Sequence, residues 1–315
     1  MEKNQYIYYE LFYEIVLFFE QKSVAFFGCF LRVYFMLNSG NLMAKGDDSV
    51  KIQSKRTVTV AIIVFCLLAI LSVNALADST AQNWYCVHRK DHKQPTADAR
   101  FDFIEKYNGY YIDKDHGDDC DEKVVYLTFD AGYENGNVEK ILNVLKEKQI
   151  PAAFFVLGNL IERNTDLILR MQAEGHLVCN HTYSHKAMAG KSREEFETEL
   201  NRLEAICLEK TGKPIDKYYR PPEGKFDEAS LQYASEMGYK TVFWSFAYAD
   251  WDNHAQMSTE KAKQKILENL HNGEVMLLHP TSSANASVLG EVIDCILASG
   301  YRFGTLDQLC KEELT

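Results

Sequence analysis

The sequence has little proline and little glycine, 6 and 17 of its 315 residues, which excludes long disordered tracts. It has no excess of positive charge. Its 34 Lys+Arg are outnumbered by 45 Asp+Glu, and a net charge of −11 argues against nucleic acid as a partner. The same acidity offers no general attraction to an anionic polymer, so any such ligand must be recognised locally. None of the 8 Cys forms a Cys-x-x-Cys pair, so zinc-ribbon and dithiol-redox readings have no support. What is there is ordinary globular composition, 46% hydrophobic and 25% charged, enough for one large core or two modest ones.

The apolar run at residues 58–73 (VTVAIIVFCLLAILSV) is shorter than the about 20 residues of a comfortable membrane span. It follows the basic residues Lys51, Lys55 and Arg56 and precedes Ala75-Leu76-Ala77. That is the order of a secretory signal peptide beginning near Met43. Residues 43–77 are expected to be a signal peptide cleaved after Ala77, with retention as a membrane anchor as the alternative. Either way the basic flank stays in the cytoplasm and the rest is exported, touching a membrane only through this segment. Residues 1–42 are rich in Phe and Tyr and interrupted by Arg32. They read as a start-site artefact, with an extra hydrophobic leader as the alternative. Without residues 1–77, 27 basic residues face 39 acidic ones. Six Cys remain: Cys86, Cys120, Cys179, Cys207, Cys295 and Cys310. Export permits disulfides, but no pairing can be read from the spacing. Cys179 and Cys207 lie in apolar patterns that suit buried thiols.

Residues 78–122 read as a loosely structured N-terminal extension with one helical pattern at 101–107. From Lys123 the pattern becomes regular, and 123–312 reads as one domain. Strands are expected in KVVYLTFD, AAFFVLG, HLVCN, KYYRPP, KTVFWSF, VMLLHP and YRFGTL. Helices are expected between them. At 137–148, Val138, Ile141, Leu142 and Leu145 share one face. Ser192-x-x-Glu195 is a capping box, and Gly212 suits the end of that helix. Further helices fit 166–173, 228–237, 259–271 and 288–298. About seven alternating strand–helix units predict an α/β fold with a parallel sheet. Asp130, His181, Arg220, Asp250 and His279 all fall at or just past strand ends. A barrel gathers those ends into one mouth, whereas a doubly wound sheet spreads them along an edge. A distorted (β/α) barrel is therefore expected.

Each of these residues admits a dull reading alone and a chemical one together. His181 and His185 are four apart, and on a helical turn both imidazoles would reach one metal ion. Asp130 ends the apolar strand VVYLTFD and costs free energy there unless paired. Arg220, before the stiff Pro221-Pro222, is a candidate partner. A carboxylate at Asp250 bonded to His279 would raise the imidazole pKa and fix its tautomer, making a general acid.

The ordered segments TFDAG, HTYSH, RPPEG, AYADW and LLH resemble the five motifs of the polysaccharide deacetylases of carbohydrate esterase family four, the NodB-homology domain. The resemblance spans about residues 123–309. TFDAGYENG, VFWSFAYADWDN, LLHPTSSANA and YRFGTLDQL are similar to the delta-lactam-biosynthetic de-N-acetylase branch, which acts on N-acetylmuramic acid of spore-cortex peptidoglycan. The resemblance implies a distorted (β/α) barrel and hydrolysis of N-acetyl groups. His181 and His185 would hold a divalent metal, zinc or cobalt, that polarises the acetamide carbonyl and acidifies a bound water. Asp130 would be the general base, oriented by Arg220, and His279 the general acid, tuned by Asp250. Substrate or oxyanion contacts would come from Phe226, Gly224 and Tyr133. The glycan strand of peptidoglycan would be the partner, after a muramoyl-amidase has removed the stem peptide.

Two positions depart from the family pattern. Ala131 stands where the family has a second, metal-binding Asp, leaving two His with waters, or with Glu134, Asn135 or Asp130 itself. Glu223 stands where a basic residue is common. Other readings are an N-acetylglucosamine or chitin-oligomer deacetylase and a non-catalytic glycan binder. A glycosidase using Asp130 and Asp250 would leave the His pair idle.

Overall fold

The computed structural model describes residues 81–89 and 91–311. The leader expected at 43–77 and the segment 1–42 lie outside the described residues. Among the described residues no helix is long and apolar enough to cross a membrane.

Eight strands form the main sheet: β1 (Gly109–Tyr110), β2 (Lys123–Ala131), β3 (Ala153–Val156), β4 (Leu177–Asn180), β5 (Asp216–Tyr219), β6 (Lys240–Val242), β7 (Glu274–Leu278) and β8 (Tyr301–Gly304). They run in the order β7-β2-β3-β4-β5-β6-β1, and every pairing is parallel. The nine-residue β2 carries β7 on one edge; on the other, β8 pairs with Lys123–Tyr126 and β3 with Thr128–Ala131. The sheet then curls back on itself. Phe246 bridges Met276, and Ile112 bridges Glu274. Ser245 N–H donates to Val275 O at 3.0 Å and Leu277 N–H to Phe246 O at 2.9 Å. The outcome is the distorted barrel expected from the sequence.

The strands read as continuous apolar runs because both faces of a parallel sheet are covered. Side-chain alternation splits β2 cleanly. Val125, Leu127, Phe129 and Ala131 pack outward with α1 (Val138–Lys148), α2 (Gly158–Arg163) and α3 (Thr165–Ala173). Val124 and Tyr126 point the other way, into a cluster with Phe155, Tyr218 and Val275. By the same parity Thr128 and Asp130 belong to that inner face. The remaining helices are α4 (Arg193–Thr211), α5 (Glu228–Glu236), α6 (Thr259–Asn269), α7 (Ser283–Ala298) and α8 (Leu306–Leu309). Both halves of the Ser192–Glu195 capping box are made, and Gly212 caps α4 in the left-handed region.

Three expectations are corrected. The strand read in KTVFWSF stops at Val242, so Asp250 sits on a loop rather than directly after a strand. α7 begins at Ser283, five residues ahead of the apolar pattern, because Ser282 caps it with a bond from Asn285 N–H at 3.1 Å. The segment before Lys123 is not loose. A 3-10 helix covers Ala99–Tyr107, β1 extends the main sheet beside β6, and Gln82–Asn83 pairs antiparallel with Lys225–Phe226. Trp84 stacks on Phe243 at 4.5 Å and packs with Phe101 and Phe226. Of these aromatics only Phe101 lies in a helix, within the pattern read at 101–107; Trp84, Phe226 and Phe243 come from loops and a two-residue strand and carry no period that a pattern search detects. The six Cys among the described residues are free thiols.

Candidate active site

The C-terminal ends of the strands meet at a cavity of about 580 Å³. Asp130, His181, His185 and His279 line it, with Tyr133, Glu223, Trp244, Tyr248 and Trp251.

Arg220 organises one side. It follows β5 and is fully buried. Its Nη1 donates to Asp130 Oδ1 at 2.8 Å and its Nη2 to Thr128 Oγ1 at 2.9 Å. Nε donates to Val242 O at 2.9 Å and Nη2 also to Phe243 O at 3.2 Å. The guanidinium lies 4.1 Å from the centre of the Phe155 ring. A buried cation so fully bonded is held in one place, and it holds Asp130 with it. Burial pushes the Asp130 pKa up, but Arg220 and His279 beside it, joined by His181 once that ring takes a proton in acid, outweigh burial and keep the carboxylate below its usual range.

The other side is His279, just past β7. Its Nδ1–H donates to Asp250 Oδ1 at 2.7 Å, and its main-chain N–H donates to Oδ2 at 2.8 Å. Burial alone would lower the His279 pKa. The Asp250 hydrogen bond and the charges of Asp250 and Asp130 raise it above the usual histidine value.

The His181/His185 pair is present, but not on a helix. Residues after Asn180 form a loop in which Thr182 and His185 have φ of 67° and 60°. The loop is pinned from below. Asn180 Oδ1 accepts Thr182 N–H at 2.9 Å, and Glu199 of α4 accepts the N–H and hydroxyl of Ser184, each at 2.9 Å. Tyr183 O accepts Gly158 N–H at 3.0 Å, and a Cβ on Gly158 would lie 2.5 Å from the Tyr183 ring. The two imidazole centres end 5.0 Å apart. His181 Nδ1–H donates to Arg220 O at 2.8 Å, which leaves Nε2 as a lone pair 3.4 Å from Asp130 Oδ2. Burial lowers the His181 pKa to about 4, so the ring is neutral.

A neutral imidazole with its tautomer fixed, a second imidazole and an adjacent carboxylate are donors suited to a divalent cation. Among the described residues, no group of three or more His, Cys, Asp or Glu is arranged to hold one. Ala131 is buried among the outward-facing apolar side chains, on the opposite face from Asp130. Glu134 and Asn135 bond within their own surroundings, to Gly136 N–H and Thr281 O. Asp130 is therefore the carboxylate that faces His181.

Tyr133 reaches the cavity, its hydroxyl accepting from Asn253 Nδ2. Phe226 and Gly224 do not. The Phe226 ring is fully buried in the Trp84 cluster, and its backbone pairs with Gln82. Gly224 has φ 65°, and a Cβ there would lie 2.7 Å from Trp244. Both serve packing; Glu223, itself at φ 58°, is the residue of that loop on the cavity wall. Sequence reading missed Thr128 and Glu199. Parity along β2 pointed to the first, and nothing marked the second.

A carboxylate and an imidazole facing one cavity at the rim of a parallel barrel are equipped to take and to give a proton. The chain belongs to the polysaccharide deacetylase family, whose model matches residues 117–242. It is 35% identical over 254 residues to the peptidoglycan-N-acetylmuramic acid deacetylase PdaA of Bacillus subtilis, covering 79% of this chain and 95% of that one. The solved structure of that protein, a family 4 carbohydrate esterase, superposes with TM-score 0.69 over 74% of this chain and 97% of that chain. A peptidoglycan-N-acetylglucosamine deacetylase of Bacillus cereus is 31% identical over 213 residues, 66% of this chain and 74% of that one. Deacetylases of this family hydrolyse N-acetyl amide bonds and are generally dependent on a divalent metal.

Proposed function

We propose that the protein removes the N-acetyl group of N-acetylmuramic acid in peptidoglycan. The observation that carries the chemistry is the facing of Asp130, held by Arg220, and His279, held by Asp250, across one cavity. Asp130 takes a proton from the attacking water as its oxygen bonds to the acetamide carbon. His279 delivers a proton to the leaving nitrogen as the C–N bond breaks, releasing acetate and the sugar amine. His181 and His185 would hold the cation, zinc or cobalt; when bound it supplies Lewis acidity at the carbonyl and acidifies the water.

Identity to the N-acetylmuramic acid deacetylase of Bacillus subtilis, 35% over 95% of its length, supports the muramic sugar. The 31% identity to an N-acetylglucosamine deacetylase supports that sugar as the second reading. With muramic acid, the freed amine lies close to the lactyl carboxyl, and their condensation with loss of water gives a delta-lactam. That ring requires the lactyl carboxyl to be free, so an amidase must act first. Export through the leader would place the enzyme on the cell wall, and the delta-lactam in spore cortex.

The test is incubation of the protein with glycan strands stripped of stem peptides and with N-acetylglucosamine oligomers. Mass spectrometry, with and without chelator, reads acetyl loss. Loss confined to muramic residues supports the proposal; loss only from glucosamine residues selects the second reading; no loss with any divalent metal ends both.

A further inference from the structure

A second set of side chains reaches His279 from behind. We propose that Asn285 and Tyr248 are positioning residues for His279, acting through Asp250 to set how firmly the imidazole holds its proton. The inference rests on the acid role of His279 proposed above.

Asp250 is 2% exposed. Its Oδ1 takes the imidazole N–H of His279, and its Oδ2 takes the main-chain N–H of His279 together with Nδ2–H of Asn285 at 2.6 Å. Asn285 is 1% exposed in the first turn of α7. An amide side chain can turn either its oxygen or its nitrogen towards Asp250, and only the N–H attracts a carboxylate. The carboxylate, an acceptor only, selects the N–H, and the Tyr248 hydroxyl holds the amide in that orientation. The hydroxyl donates to Asn285 Oδ1, which leaves Nδ2 for Asp250. The same tyrosine lines the active-site cavity.

Three N–H donors therefore share the charge of one buried carboxylate. Removing one leaves that charge more fully on the others and strengthens the hold of Asp250 on the His279 proton. A general acid must release its proton to the leaving amine, so an imidazolium held too firmly is a poor acid. Asn285 keeps that hold moderate, and Tyr248 keeps Asn285 turned the right way. The other charged groups facing His279 are Asp130 and Arg220. Substitutions at 285 and 248 leave both in place.

The variants Asn285→Leu and Tyr248→Phe, made in the full chain, test this. The NMR titration midpoint of the His279 ring should rise by about half a unit or more in Asn285→Leu and by less in Tyr248→Phe. The limb of the pH–rate profile that reports His279 should move with it, and kcat should fall while KM is kept. A midpoint unmoved or lowered in the folded variants overturns the proposal even if kcat falls, because packing damage alone would do that. Tyr248→Phe keeps the ring and its packing, so it decides the matter if Asn285→Leu does not fold. An inactive wild-type protein would end the deacetylase reading, while the titration would still decide whether Asn285 tunes His279.

Discussion

The carbonyl oxygen of Arg220 accepts the Nδ1–H of His181 at 2.8 Å, while the guanidinium of the same residue holds Asp130. One buried residue thus sets the tautomer of an imidazole and the position of the carboxylate beside it.

Arg220→Leu should be costly to the fold as well as to activity. It leaves the Asp130 carboxylate without its buried partner, and breaking such a pair costs about 3–5 kcal/mol. Urea unfolding measures the difference. A loss under about 1 kcal/mol would mean that Asp130 finds another partner or a path to water.

Asp130→Asn keeps the shape and a hydrogen bond to Arg220 but removes the base. The kcat should fall about 10²- to 10⁴-fold with the fold intact. A variant within threefold of wild type by steady-state kinetics would assign the base elsewhere.

The pH dependence follows from two opposite shifts. Asp130 works deprotonated and its pKa is lowered, so it should stay a competent base throughout the range in which the imidazoles that would hold the cation are neutral, and the acid limb should follow loss of the cation. His279 works protonated and its pKa is raised, so activity should persist above the usual histidine value of about 6.5 before it falls with alkali. A kcat/KM profile whose alkaline limb lay below that value would contradict the role given to His279.

The strand runs were legible because parallel strands covered on both faces read as unbroken apolar stretches, as in VVYLTF and VMLL. Asp130 and His279 were legible as site candidates because each closes or follows such a stretch, whereas Asp250 lies on a loop beyond Val242. The histidine loop was not. A four-residue spacing suggests a helical turn, and nothing in NHTYSH announces left-handed backbone at Thr182 and His185. Phe226 was misplaced because nearness along the chain to RPPEG says nothing about which side of the loop faces the cavity. Glu199 was invisible, being one glutamate among several on an acidic helix.

Glu199→Ala should therefore weaken metal binding without touching a proposed ligand. Ser184 would lose its anchor, and loss of such supporting bonds lowers affinity by about 10- to 100-fold. Calorimetric titration with zinc reads this; unchanged affinity would show that Asn180 and Gly158 hold the loop unaided.

The sharing of β6 between β5 and β1 bears on how the molecule can be shortened. A chain begun at Lys123, where the apolar pattern starts, would keep every proposed catalytic residue and lose Gly109–Tyr110 and Trp84. The outer side of Lys240–Val242 would then be a raw sheet edge, with N–H and C=O groups ready to template another copy. Such a fragment should precipitate or assemble rather than stay monomeric, so the apparent extension doubles as a guard against self-association.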